Sequence, residues 1–140
     1  MKFRQILVAA ALASAVPGCA ATTVRPAASA AMAEETSPQA LLGRWKVDLR
    51  AAPGDAPYSQ PFVVESVDEG KRSLRGSFYN SEISWSRTNT AWGKLVITFI
   101  TSDGQGEYVH TATLQGGTLV GSSTAKHRNM LVPWTATREP

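Results

Sequence analysis

The chain has 140 residues, 43 % hydrophobic and 18 % charged, with a formal net charge of +3. That length suits one domain, and a single cysteine excludes both an internal disulfide and a paired-cysteine metal site. Lys2 and Arg4 carry much of the positive balance. Without residues 1–18, twelve Lys and Arg face eleven Asp and Glu, so no basic stripe remains as a footprint for nucleic acid.

Met1–Gln5 carries two positive charges, and Ile6–Val16 is apolar or small apart from Ser14. That run is too short to anchor a mature protein across a bilayer. A basic head, a short apolar core and a small-residue exit define a secretory signal over residues 1–18. The exit, Ala15-Val16-Pro17-Gly18-Cys19-Ala20, resembles the lipobox of bacterial lipoproteins, with Val16 and Gly18 at the aliphatic and small positions. The resemblance implies a diacylglyceryl group on the Cys19 thiol. Its chains would hold the protein on a membrane through buried methylenes at ~0.8 kcal/mol each. Ala20 stands where a retention aspartate would, which implies the outer membrane, facing the periplasm. Ordinary cleavage after Ala21 or Ala33 is the alternative, and gives a soluble periplasmic or secreted protein. Residues 19–37 are rich in Ala, Thr, Ser and Pro without apolar periodicity, and read as a flexible tether.

Residues 38–140 form the folded domain, and from Leu41 onward the dominant period is two. The alternation predicts eight strands: Leu42–Leu49, Phe62–Val67, Ser73–Tyr79, Glu82–Thr88, Ala91–Thr101, Glu107–Leu114, Thr118–Thr124 and Leu131–Arg138. Ala52–Pro57 is a long loop. Asp68-Glu69-Gly70-Lys71, Ser102-Asp103-Gly104 and Gly116-Gly117 are hairpin signals. Alternation assigns one apolar face per strand: Trp45, Val47 and Leu49; Leu74, Gly76 and Phe78; Ile83 and Trp85; Leu95, Ile97 and Phe99; Tyr108, His110, Ala112 and Leu114; and Val132, Trp134, Ala136 and Arg138. Phe62-Val63-Val64-Glu65 leaves its inward face open. The expected fold is all-β, an eight-stranded antiparallel up-and-down barrel, because closure removes sheet edges. Eight strands leave an interior just wide enough for side chains or for one small ligand.

Gly43-Arg44-Trp45 on the first strand and Trp134-Thr135-Ala136-Thr137-Arg138 on the last resemble the calycin superfamily, the small barrels that include lipocalins and avidins. Leu42–Leu49 and Leu74–Tyr79 are similar to strands of the avidin-like subgroup. The resemblance implies that Trp45 plugs a closed barrel end and that Arg138 packs across its ring. The avidin biotin site needs a serine in the first loop and a tryptophan in the penultimate strand. Here Arg50-Ala51-Ala52-Pro53 and Leu119–Thr124 supply neither. The resemblance therefore carries the barrel and not biotin binding.

Phe78, Trp85, Phe99, Tyr108, His110 and Trp134 are the candidate ligand-lining residues, and each aromatic among them serves equally to fill the core. His110 is either a buried histidine bonded to a hydroxyl or a polar contact for a ligand. Trp92 is expected to be exposed and His127 to be solvated. There is no Gly-x-Ser-x-Gly, no His-Glu-x-x-His and no phosphate-cradling glycine loop, so the expectation is no enzyme, no metal and no cofactor. Two functions remain. One is a small, mostly apolar ligand held inside the barrel. The other is a protein-binding or inhibitor role for a filled barrel, acting through the loops Ala51–Gln60 or Ala125–Met130.

Overall fold

The computed structural model describes residues 27–28 and 35–140. The signal segment, Cys19 and most of the tether lie outside the described residues. A 3-10 helix, Pro38–Leu41, enters nine strands: β1 (Gly43–Asp48), β2 (Ser59–Asp68), β3 (Ser73–Phe78), β4 (Ser81–Glu82), β5 (Trp85–Asn89), β6 (Val96–Ser102), β7 (Glu107–Gln115), β8 (Thr118–Ala125) and β9 (Met130–Arg138). They form one antiparallel sheet in the order β4-β3-β2-β1-β9-β8-β7-β6-β5, curled into a half-barrel.

The expected fourth strand is two strands, and its break explains the extra one. Ser81 and Glu82 pair with β3, and the Ile83 amide donates to Gly76 O. The next amide, Ser84, donates to Ile100 O on β6. The chain thus changes partners between adjacent residues, and the change shifts the alternation by one. Ile83 points inward and is buried, but so are Ser86 and Thr88. Trp85, expected on the inner face with Ile83, lies outside and is 51 % exposed. Beyond the break the sheet ends meet through a few bonds rather than a ladder. Ser86 Oγ accepts from the Leu74 amide and donates to Leu74 O, at 2.9 and 2.7 Å. The Thr88 amide donates to Arg72 O.

A second irregularity resolves the ambiguous β2. Phe62 and Val64 are buried, and the register with β3 then slips between Val64 and Ser66. Glu65 is the extra residue of a bulge, which bends the strand and raises its twist. Opposite, Gly76 has φ +151°, and a β-carbon there would lie 1.9 Å from Val63 O. Only glycine lets the strands approach this closely.

The other inward faces follow the alternation. Trp45, Val47, Phe62, Leu95, Ile97, Phe99 and Leu119 are almost fully buried. Phe62 stacks on Phe99 with centroids 5.0 Å apart, and Phe78 tilts against both. Such ring pairs add ~0.5–1.5 kcal/mol each beyond their buried area. Trp134 packs on Phe78 and reaches across β8 at Gly121, where a β-carbon would come within 2.9 Å of its ring.

Candidate functional site

Successive connections alternate between two ends of the sheet, and the ends differ. At one, Trp45 Nε1 donates to Leu41 O at 2.9 Å, which ties the 3-10 helix over the core. Trp45 pairs with Arg138 across β1 and β9. The Arg138 guanidinium carbon sits 4.4 Å from the Trp45 ring centroid, and its nitrogens donate to the carbonyls of Ala40 and Leu42. This end is sealed. The loop with Trp92 also lies here, and that side chain is 97 % exposed.

The other end holds a cavity of about 340 Å³, at the lower limit for small-molecule sites. Leu49, Met130 and Val132 give it an apolar wall. Tyr58, Tyr79 and Tyr108 stand around its mouth. The Tyr58 and Tyr79 hydroxyls bond each other, an interaction that raises the Tyr79 pKa. Tyr79 and Asn80 form the two-residue turn between β3 and β4, both at positive φ (53° and 62°). An aromatic residue there is strained, and Tyr79 lines the mouth from this turn.

The floor is polar. Phe78, Thr101, His110 and Ser123 line it, and each is almost fully buried. His110 Nε2 lies 2.9 Å from Thr101 Oγ1, and Nδ1 lies 2.7 Å from Ser123 Oγ. Trp134 Nε1 donates to Ser123 Oγ at 2.8 Å. The imidazole is 4.3 Å from the Phe78 centroid and 4.7 Å from that of Phe99. Burial lowers its pKa to about 4, because the cation would lose hydration with no carboxylate in return. At neutral pH His110 is uncharged.

On the rim, Asp103 accepts from Tyr108 OH at 2.9 Å and from Arg128 Nε at 3.1 Å. The Gln105 and Gly106 amides also donate to it. Arg128, with these bonds, holds the Asp103 carboxyl well below the usual carboxylate range. His127 is exposed, as expected, with its ring beside Gly106, where a β-carbon would come within 2.5 Å of it, and edge-on to Tyr108.

Of the six candidate lining residues, Phe78, Tyr108 and His110 meet at the cavity. Phe99 and Trp134 lie in the core with rings packed on Phe78, and Trp85 lies on the outer face. There it joins a cross-strand row, Trp85–Ile100–Val109–Thr124–Leu131, running over five strands. Sequence reasoning missed Thr101 and Ser123, although both keep the inward phase of Ile97–Phe99 and Leu119–Gly121. It also missed the Asp103–Arg128 pair, which joins two loops 25 residues apart and leaves no local signal.

Among the described residues no helix is long and apolar enough to cross a membrane, and no three His, Cys, Asp or Glu side chains gather as a metal site. No family model matches the chain, and neither a curated protein nor a solved structure matches it.

Proposed function

We propose that this protein is a cell-envelope lipoprotein whose barrel holds a small, mostly apolar ligand in the cavity at its open end. The observation that carries the reading is that cavity: about 340 Å³, walled by Leu49, Met130 and Val132 and floored by Phe78 and His110. An apolar chamber with a few convergent polar groups is the usual form of a small-molecule site.

The finer fold behind the proposal is an eight-stranded calycin-like barrel, with β4 and β5 counted as one bent strand. Support comes from the Ile83 and Ser84 bonds to opposite sheet ends and from Arg138 over the Trp45 ring. The anchor rests on the sequence around Cys19, and with it the outer-membrane location. Binding is favoured over catalysis because His110 touches two hydroxyls and no carboxylate, so nothing would stabilise an imidazolium during turnover.

The test is native mass spectrometry of protein purified gently from its own host's envelope. The expected result is lipid mass on Cys19 together with a reproducible non-covalent adduct. A clean polypeptide mass without adduct would overturn the carrier reading and direct attention to the loops Ala51–Gln60 and Ala125–Met130 as protein contacts.

A further inference from the structure

We infer that the cavity selects an uncharged ligand with a hydrogen-bond acceptor at its buried end, a ketone, ester or amide carbonyl, which takes its bond from the Thr101 hydroxyl. This rests on the proposed binding function and specifies its chemistry.

The buried floor holds one more polar hydrogen than its internal bonds use. Trp134, Ser123, His110 and Thr101 form one chain of three bonds. The chain contains four polar hydrogens when His110 is neutral: one indole N–H, one imidazole N–H and two hydroxyls. Three bonds use three of them, whichever imidazole nitrogen holds the proton. One hydroxyl hydrogen is left over. Aligned bonds polarise and strengthen one another, which favours the arrangement running one way: Trp134 donates to Ser123, Ser123 to His110 Nδ1, and His110 Nε2 to Thr101. The spare hydrogen then belongs to Thr101, which is 3 % exposed and lines the cavity floor. A buried hydroxyl donor without an acceptor is costly, and a ligand carbonyl on the floor would satisfy it.

The same count excludes charge. A carboxylate needs several donors to replace its hydration, and the floor offers one. An ammonium group needs acceptors or an anion. The nearest carboxylate, Asp103, is engaged by Arg128, Tyr108 and two backbone amides.

Three probes of one shape test this on the intact protein: acetylnaphthalene, its hydrocarbon isostere isopropenylnaphthalene, and naphthoate. Infrared difference spectra read the ketone stretch directly. The expected result is that ketone and hydrocarbon both bind and naphthoate does not. The bound C=O stretch should lie below its position in an alkane solvent. Thr101→Val should shift that stretch and weaken the ketone roughly fivefold, about one neutral hydrogen bond, without weakening the hydrocarbon. Thr101→Ser, which keeps the hydroxyl, should keep the original stretch and guards against a folding defect. A bound ketone with an alkane-like stretch, a stretch unmoved by Thr101→Val, or naphthoate bound as tightly as the ketone would each overturn the inference while leaving the cavity an apolar binding site. Failure of both neutral probes to bind would overturn the binding reading itself.

Discussion

The two ends of the sheet satisfy their polar groups in different ways. At the sealed end the polar groups face backbone: the Trp45 indole meets Leu41 O, and Arg138 meets Ala40 O and Leu42 O. These bonds close the fold on itself, and the Arg138 guanidinium covers the Trp45 ring, which is almost fully buried. At the open end the polar groups bond one another around a cavity. Thr101, His110 and Ser123 form a chain with a hydrogen to spare, and Tyr58, Tyr79 and Tyr108 ring a cavity. The comparison teaches that polar groups at a sheet end close the fold where backbone carbonyls lie within reach, as for Trp45 and Arg138, and bond one another where side chains are the only partners, as for Thr101, His110 and Ser123.

The comparison breaks most severely if the sealed end is opened. Trp45→Ala is expected to cost about 3–5 kcal/mol, the range for truncating a large buried aromatic, read as a lower urea midpoint with unchanged slope. Variant that remains folded should still bind a ligand at the far end; loss of binding without unfolding would show that the two ends are not separate.

The open end has its own signature in acid. The His110 pKa is about 4 in the folded protein and about 6.5 in an unfolded chain. The unfolded state therefore takes up its proton first as pH falls. Stability is full above about pH 6.5, declines by roughly 3 kcal/mol down to about pH 4, and gains no further loss from this group below that. Urea unfolding across this range should show the slope, and His110→Phe should remove it. Asp103, whose pKa is depressed, adds a separate loss only below the ordinary carboxylate range near pH 4. Asp103→Asn should remove that lower step and leave the upper one.

A milder perturbation of the sealed end is Arg138→Ala. It deletes a cation–π contact of ~0.5–2 kcal/mol and two bonds to carbonyls. Thermal unfolding should show a loss of that order, with the His110 acid slope intact. The smallest effect is expected from Trp92→Ala. Its side chain is 97 % exposed on the sealed-end side, and a change within about 0.5 kcal/mol is usual for such a surface position. Tyrosine fluorescence at the mouth should report unchanged ligand binding in this variant.

Local alternation determined most of the strands, the inward phase of Trp45, Phe78, Phe99, His110 and Trp134, and the Gly116-Gly117 hairpin, because side chains in a strand alternate faces and turns need particular residues at positive φ. The pairing of Trp45 with Arg138 was legible only through resemblance to a known barrel pattern. Tertiary structure alone decided the rest. Ile83 and Ser84 bond to strands at opposite ends of the sheet, and that change of partner turned Trp85 outward against its own alternation. The bulge at Glu65 settled the face of β2 in the same way, since an inserted residue shifts phase without any mark in composition. The cavity was least legible. It exists because segments distant in sequence bring Tyr58, Tyr79, Asp103 and Met130 to one end, over a floor where Thr101 and Ser123 meet His110 from neighbouring strands. A one-dimensional pattern records which way each side chain points; which groups it then meets depends on register and curvature, properties of the assembled sheet.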